Sequence, residues 1–302
     1  MDNRCINNYT CLPSGVVGKW HLGITPDYHP LSRGFDFYYG LPYSNDMGCV
    51  TCSPIYDKRF NCTCGEDMRW NVSVPLYENR DIIEQPVDLT TLSARYVNAA
   101  QDFMSGALSA GKPFFLYAPL THVHTPLATS PEYAGKSGFG PRGDAAMEMD
   151  GFVGAMMEWV KSKGQEENTI IMFTSDNGPA EQQCEFAGTT IPYMGMWQKT
   201  FGRGGSAGKF TTWEGGHRVP FIVSWLGTLQ AGQVRGDLVS ALDIVPTFAD
   251  IANFTLPEKR VFDGVPMPFV KPQREERTLF HLSTGEEVTV QQTDSSFCYN
   301  FM

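Results

Sequence analysis

The sequence of 302 residues lacks any long hydrophobic run and any excess of basic residues. No apolar stretch approaches the roughly eighteen residues of a membrane-spanning helix, so no membrane span is predicted. Lys and Arg number 23 against 33 Asp and Glu, which gives a formal charge of −10. This balance argues against nucleic acid or an anionic membrane as a partner, and an anionic ligand would have to be held by a few locally placed cations.

The first residues, "MDNRCINNYT", also lack the basic, apolar and small-residue succession of a signal peptide. Eight cysteines and four Asn-x-Ser/Thr sequons nevertheless indicate the oxidising secretory route. The sequons lie at Asn8, Asn61, Asn71 and Asn253. The sequence therefore predicts a secretory protein whose signal peptide is missing from these residues.

Four of the cysteines lie close together in "CVTCSPIYDKRFNCTC", at Cys49, Cys52, Cys62 and Cys64. Their spacing suits either a zinc knuckle or a loop held by two disulfides. The sequons inside and beside the segment favour disulfides, because both modifications belong to the secretory route.

Short apolar runs that end in polar loops alternate with helical patterns along the chain. The runs are "FFLYAPL" (114–120), "TIIMFTSDNG" (169–178) and "VPFIVSWLG" (219–227), and apolar residues recur at helical spacing over 91–110 and 144–163. Strands alternating with helices predict one layered α/β domain with a largely parallel sheet.

A further short helix is predicted in "DIVPTFADIAN", with Asp243 at its N-cap and Pro246 in its first turn. The segments 24–90, 121–143 and 179–215 show no periodicity and are interpreted as loops. Loops of that length in a compact domain are usually functional or disordered.

In "GKWHLG", an extended backbone would place Lys19 and His21 on one side and Trp20 and Leu22 on the other. This arrangement would give one wall of a site a cation and a base. The alternative is a strand end with a solvated lysine and a hydrogen-bonded histidine.

In "SDNGP", Asp176 and Asn177 follow an apolar strand and would project at the carboxyl edge of the sheet, where such folds bind ligands. Their oxygens suit a hard divalent cation. The alternative is an Asx turn that closes the strand.

In "THVHTP", His122 and His124 follow another strand, and one of them could be a general acid, although such a pair is more often structural. The segment "GRGGSAGKFTTWEGGHRVP" carries Lys209 on a glycine-rich loop. It matches neither a P-loop nor a dinucleotide motif, because Phe210 replaces the Ser or Thr after the lysine and no strand precedes the glycines. Lys209 is left as a flexible cation.

Five ordered motifs resemble those of the arylsulfatases, in the branch of arylsulfatases A and G: "GKWHLG", "GLPYSND", "THVHTPL", "FTSDNGP" and "GKFTTWEGGHRVP". The similarity runs from Gly15 to about Gly285. It implies an alkaline-phosphatase-like α/β fold, with a mixed, largely parallel sheet flanked by helices. It also implies a lysosomal or secreted hydrolase that cleaves sulfate esters of small molecules or glycans with bound Ca²⁺ and a formylglycine nucleophile.

The resemblance implies a role for each residue that matches a family motif. Asp176 and Asn177 would be calcium ligands. Lys19 and Lys209 would hold sulfate oxygens, and Ser44 would line the substrate site.

Two histidines would handle protons. His21 would help to break down the sulfated formylglycine hemiacetal, and His124, rather than His122, would protonate the leaving oxygen.

The resemblance further implies nested disulfides, Cys49 to Cys64 and Cys52 to Cys62, and leaves Cys184 without an obvious partner.

The run "CLPSG" matches the start of Cys-x-Pro-Ser-Arg, the sequence in which sulfatases form formylglycine, but we interpret it as a chance match. Gly15 stands where arginine is needed, and Cys11 precedes Lys19 by only 19 − 11 = 8 positions, against several dozen in the family. The family's early Asp-Asp pair is not found either. We therefore expect an incomplete sulfatase domain at 15–285, an unrelated leader at 1–14 and a divergent tail at 286–302.

Two other functions stay open on the sequence. One is a secreted pseudoenzyme that binds sulfate without turnover. The other is a phosphatase or phosphodiesterase of the same superfamily, which the lysine and histidine motifs disfavour.

Overall fold

The computed structural model describes residues 12–51, 72–190, 192–193 and 208–270, apart from the side chains at 182, 184 and 185, and the backbone of 5–6, 10–11, 276–280, 287–291 and 300–301. The strands in these residues are β1 (Cys5–Ile6), β2 (Thr10–Cys11), β3 (Ser14–Lys19), β4 (Phe37–Leu41), β5 (Leu76–Glu78), β6 (Asp81–Glu84), β7 (Phe115–Tyr117), β8 (Thr169–Thr174), β9 (Phe221–Ser224), β10 (Glu276–Phe280), β11 (Glu287–Gln291) and β12 (Asn300–Phe301). The helices are α1 (Leu89–Ser109), α2 (Gly140–Ser162), α3 (Glu214–His217) and α4 (Ile244–Ile251).

Eight of the strands form one mixed sheet in the order β6-β5-β4-β3-β7-β12-β8-β9. The five central strands from β4 to β8 run parallel to one another. The outer strands β5, β6 and β9 are antiparallel to their neighbours. This architecture confirms the predicted mixed, largely parallel α/β sheet.

The short strand β12 pairs in parallel with β7 on one side and with β8 on the other. Phe301 lies opposite Phe115, and Asn300 lies opposite Thr169. The middle of the sheet is therefore joined by residues 186 positions apart on the β7 side and 131 positions apart on the β8 side. Two separate hairpins, β1-β2 and β10-β11, are antiparallel.

The two long helices form the main core with the sheet, as their apolar periodicity predicts. Asp88 caps α1, its carboxylate accepting a hydrogen bond from the Thr90 backbone N–H at 2.9 Å. The helix buries Leu92 and Tyr96. On α2, Trp159 packs edge-on against Phe114 with ring centroids 6.2 Å apart.

Asp243 is the N-cap residue of α4, as predicted, but its carboxylate accepts hydrogen bonds from the backbone N–H groups of Ser240 and Val265 instead of capping the helix. Two other local predictions were wrong. Met157, one of the apolar residues at helical spacing over 144–163, is 48% exposed. The segment 24–90 is not a loop throughout, since it contains β4, β5 and β6.

The strand β4, "FYYGL", escaped prediction because it is buried on both faces and so shows no alternation of apolar and polar residues. None of the helices in the described part of the chain is long and apolar enough to cross a membrane.

Candidate active site

The carboxyl ends of β3, β4 and β7 approach one another so closely that only glycine fits. A Cβ on Gly18, whose φ is +139°, would lie 2.1 Å from the carbonyl oxygen of Pro119. A Cβ on Gly40 would lie 1.8 Å from the carbonyl oxygen of Gly18. The next residue, Lys19, donates its backbone N–H to Pro119 at 2.6 Å. This contact fixes where the Lys19 side chain leaves the sheet.

Charged side chains from other loops surround Lys19. Burial lowers the pKa of its ammonium, and the nearby Lys209 lowers it further. Asp176 and Asp46 act in the opposite direction and raise it. The structure therefore brings together Lys19, Asp176 and Lys209, three of the residues that the motifs predicted, at the carboxyl edge of the sheet.

His21 joins the same cluster, but not by strand alternation. β3 ends at Lys19, and His21 adopts a left-handed conformation with φ of +52°, so the predicted extended backbone was wrong here. Burial lowers the pKa of the His21 imidazole, and the two lysines at 19 and 209 lower it further. Asp46 and Asp176 partly offset this effect.

Asp176 and Asn177 lie just beyond the end of β8. The Asn177 amide Nδ2 donates to the Gly178 carbonyl at 2.9 Å, and the Ser175 hydroxyl donates to the Asn177 carbonyl at 3.1 Å. A Cβ on Gly178 would lie 1.9 Å from the Gly215 carbonyl oxygen. The turn after β8 is therefore pressed directly against α3.

The loop that carries Lys209 is held against the same turn. The Lys209 backbone N–H donates to the Pro179 carbonyl at 2.9 Å. A Cβ on Gly208 would lie only 2.0 Å from that carbonyl oxygen. The Lys209 backbone is therefore held against the turn after β8 by contacts that need glycine, whereas the sequence predicted a flexible cation.

His124 faces Ser44. The Ser44 hydroxyl lies 3.4 Å from His124 Nε2, and His124 Nδ1 lies 2.7 Å from the Thr125 carbonyl oxygen. Because a carbonyl only accepts, Nδ1 carries a proton and Nε2 is the nitrogen that can exchange one. Asn45 supports the loop by donating its Nδ2 to the His124 carbonyl at 3.5 Å.

The pKa of His124 lies below its ordinary value. Burial is the main cause, and Lys19 and Lys209 lower the pKa further, while the Thr125 carbonyl and Asp46 raise it. The charges of Lys19, Lys209 and Asp46 therefore act on both His124 and His21. Its neighbour His122 points elsewhere and pairs with buried Glu148.

Asp46 is the member of the cluster that the motifs did not single out. It raises the pKa of Lys19, His21 and His124 alike, which places a carboxylate within electrostatic reach of all three. The one signal available in the sequence was its position in "GLPYSND", two residues after Ser44.

The run "CLPSG" lies at the opposite edge of the sheet. Ser14 begins β3 and Lys19 ends it, so about 16 Å separate them at the rise of an extended strand. A Cβ on Gly15 would lie 3.0 Å from the ring of Phe103 on α1. This position belongs to the sheet–helix core and has no room for the arginine of a formylglycine motif.

Several predicted residues lie outside the part that the structure describes: Asn8, Cys52, Asn61, Cys62, Cys64, Asn71 and the side chain of Cys184. Cys49 is within it and is disulfide-bonded. Asn253 is exposed just after α4, with φ of +51°.

The resemblance implies calcium at Asp176 and Asn177. A carboxylate and an amide oxygen are ligand types that calcium prefers, and Asn177 already uses its amide nitrogen as a donor. Calcium takes six to eight oxygens, however. Within the described residues, no group of three or more His, Cys, Asp and Glu side chains could hold a metal ion. The pair therefore matches calcium in ligand type but not in number.

The chain is similar to known proteins of one family. A family model described as Sulfatase matches residues 13–254. Arylsulfatase G of Rattus norvegicus is 42% identical over 285 residues, which cover 90% of this chain and 53% of that protein. Arylsulfatase A of Homo sapiens is 38% identical over 249 residues, which cover 81% of this chain and 46% of that protein.

The crystal structure of the PsFucS1 sulfatase from Pseudoalteromonas sp. has the same fold, with a TM-score of 0.70 at 28% identity. The match covers 91% of this chain and 56% of that structure. The chain thus spans about half the length of the relatives that it matches. Identity of this extent confirms the resemblance seen in the motifs, and the chain belongs to the sulfatase family, in the branch of arylsulfatases A and G.

Proposed function

We propose that this chain carries the sulfate-binding and proton-transfer residues of a sulfuric ester hydrolase, which acts on sulfate esters of small molecules or glycans. One observation carries the proposal. Two lysines from separate segments, Lys19 and Lys209, lie within electrostatic reach of each other and of His124. In a chain with a net charge of −10, two ammonium groups within electrostatic reach of each other make a local site for an anion.

Lys19 and Lys209 hold the sulfate oxygens in this proposal, and Ser44 lines the substrate site. Lys209 lowers the pKa of Lys19 and so disfavours the charged form of the Lys19 ammonium. A bound sulfate between them would reverse that effect, because an anion favours the charged form of both. Anion binding would therefore offset the effect of Lys209 on Lys19.

His124 is the general acid in this proposal, and His21 assists the second half of the reaction. The Nδ1 of His124 is engaged by the Thr125 carbonyl, which leaves Nε2 to carry the transferred proton toward the ester oxygen. Since burial lowers its pKa, protonated His124 is a stronger acid than a solvated imidazolium.

The nucleophile and the metal complete the proposal. A formylglycine, formed from a Cys-x-Pro-Ser-Arg sequence, would supply the attacking oxygen, and no such sequence occurs in residues 1–302. Calcium, with Asp176 and Asn177 among its ligands, would supply a positive charge at the sulfate. We propose a catalytic domain at 15–285, as the resemblance implies, although Asn300–Phe301 of the tail adds the strand β12 to its sheet.

A lysosomal or secreted location is part of the same proposal. The disulfide at Cys49 and the exposed sequon at Asn253 support it, because both belong to the oxidising secretory route. We keep the pairings Cys49 to Cys64 and Cys52 to Cys62, and glycans at Asn8, Asn61 and Asn71, as further proposals.

Titration of the 302-residue chain with inorganic sulfate, followed by calorimetry, tests the site. Lys19→Met and Lys209→Met should each weaken sulfate binding by about tenfold or more, the effect of losing a hydrogen bond to a charged group. Lys112→Met is the matched control, because this exposed lysine lies before β7, at the opposite edge of the sheet. Wild-type affinity in both site variants would overturn the proposal.

A chromogenic sulfate ester and the matching phosphate ester distinguish the alternatives. Sulfate binding without turnover of either ester fits a chain that binds sulfate but contains no nucleophile. Turnover of the phosphate ester alone would identify a phosphatase. Turnover of the sulfate ester that is lost in Cys11→Ala would show that "CLPSG" is the true nucleophile motif.

A further inference from the structure

The residues 208–211 form a tight turn next to the lysine of the proposed sulfate site. The Thr211 backbone N–H donates to the Gly208 carbonyl at 3.3 Å, and the Thr211 hydroxyl donates to the same oxygen at 2.8 Å. Phe210, the third residue of the turn, has φ of +76°. A positive φ at the third residue is the requirement of a type II turn, which normally places Gly or Asn there.

Phenylalanine is a costly choice at this position. A bulky side chain at positive φ is strained, and such strain is found where function requires it. The side chain gains no compensating burial, since Phe210 is 80% exposed. Packing therefore does not explain why this turn carries a phenylalanine.

The ring of Phe210 lies beside the candidate active site. Its centroid is 5.3 Å from Lys209 Nζ, within the range of a cation–π contact. Lys209 in turn affects the pKa of Lys19 and of His124. An anion held by Lys209 would carry its ester substituent close to an aromatic face that is open to solvent.

We propose that Phe210 is a specificity-determining residue that stacks on the organic part of the sulfate ester. An exposed aromatic ring favours a substituent with a flat apolar ring face, either an aryl ring or the apolar face of a pyranose. This inference rests on the proposed sulfate site at Lys19 and Lys209, and it names the ligand chemistry next to that site.

The test measures the binding of four probes to the 302-residue chain: inorganic sulfate, methyl sulfate, phenyl sulfate and glucose 6-sulfate. Phe210→Gly should weaken phenyl sulfate binding by about three- to tenfold, the usual worth of one aromatic pair. Its affinity for inorganic sulfate and methyl sulfate should stay within about twofold of wild type. Phe210→Trp, which keeps an aromatic face, should retain the preference for phenyl sulfate. If Phe210→Gly also weakens the binding of glucose 6-sulfate, the ring is a pyranose. If the substitution weakens only the binding of phenyl sulfate, the ring is an aryl group.

Two controls separate folding from recognition. Phe210→Gly should melt at the wild-type temperature or above, because glycine adopts the positive φ without strain. Phe139→Leu changes another exposed phenylalanine, 88% exposed at the start of α2, and should leave all four affinities unchanged.

The outcomes distinguish this inference from the function on which it rests. If wild type does not bind inorganic sulfate, the proposed site and the role of Phe210 fall together. If sulfate binds, but wild type and Phe210→Gly show the same ratio of phenyl sulfate to methyl sulfate affinity, the sulfate site stands and the role of Phe210 is overturned.

Discussion

His122 and Glu148 form a pair inside the protein, with Nε2 and Oε2 3.4 Å apart and side chains only 5% and 3% exposed. The other carboxylate oxygen of Glu148 accepts the backbone N–H of Ser130 at 3.0 Å. Glu148 thus ties both ends of the loop that carries His124 to α2. Burial by itself would raise the pKa of Glu148, but the hydrogen bonds from His122 and Ser130 outweigh it and hold that pKa below the ordinary value.

Replacing Glu148 should therefore destabilise the fold. Glu148→Leu leaves two buried donors without an acceptor, and we expect a loss of about 3 to 5 kcal/mol in the free energy of unfolding. Urea denaturation measures it, with Glu158→Leu, an exposed position on α2, as the control. Equal midpoints for Glu148→Leu and wild type would contradict the prediction.

The same pair predicts a dependence on acid. Because the pKa of Glu148 is depressed in the folded state, its contribution is fully present above the unfolded carboxyl pKa, near 4.3. It is lost as pH falls through the lower, folded pKa. The difference in stability between wild type and Glu148→Leu should therefore shrink below about pH 4. If the difference in stability stays constant down to pH 2, the charge of Glu148 does not contribute to the stability of the fold.

Gly178 allows the turn after β8, to which the Lys209 backbone is hydrogen-bonded, to lie against α3, so Gly178→Ala should displace Lys209 and weaken sulfate binding. The added Cβ would lie 1.9 Å from the Gly215 carbonyl, and the backbone of one segment must move. We expect both a lower melting temperature and a loss of sulfate affinity of about tenfold, as for the loss of a charged hydrogen bond.

Gly154→Ala is the matched control for that substitution. No atom lies within 4 Å of a Cβ at this position on α2. Alanine in a helix should stabilise the fold by about 0.5 to 1 kcal/mol and leave the sulfate affinity unchanged. The prediction fails if Gly178→Ala keeps the wild-type affinity for sulfate.

Sulfate binding should tighten as the pH falls from 7.5 towards 5. His21 and His124 both have pKa values lowered from the ordinary 6.5, so both imidazoles are mainly neutral at pH 7.5 in the ligand-free protein. A bound anion favours their protonated forms, and by linkage protonation then favours the anion. Calorimetry at the two pH values measures the effect, which should be smaller in His124→Gln. Weaker binding at pH 5 would contradict it.

Calcium should bind the 302-residue chain only weakly. Asp176 and Asn177 offer two of the six to eight oxygens that the ion takes. Titration calorimetry should give heat that Asp176→Ala abolishes, with a dissociation constant above the micromolar range, as expected of an incomplete shell. A submicromolar constant would mean that further residues complete the site.

Much of the site could be predicted because parallel strands end at one edge of a sheet. Asp176 and His124 each follow a predicted apolar run, so the strand–loop pattern predicts that they converge. The motif resemblance added Lys19, Lys209 and Ser44, the last of which follows the strand β4 that the pattern did not predict.

The remainder depends on contacts between distant segments, which local patterns do not contain. The left-handed conformation of His21 lies just beyond β3, where the His21 backbone N–H donates to the Pro42 carbonyl of the segment after β4. Asp46 raises the pKa of Lys19, His21 and His124, and this effect likewise depends on how the "GLPYSND" loop packs.

The contact of Gly18 with Gly40 and Pro119 bears on how such a site can evolve. Any side chain at either glycine would collide with main-chain atoms of a neighbouring strand, and main chain cannot rotate away as a side chain can. Random libraries should consequently return glycine at both positions whatever substrate is selected for. New specificity must come from the loops in front of this wall, and the exposed turn at Phe210 is where a library would have room to vary.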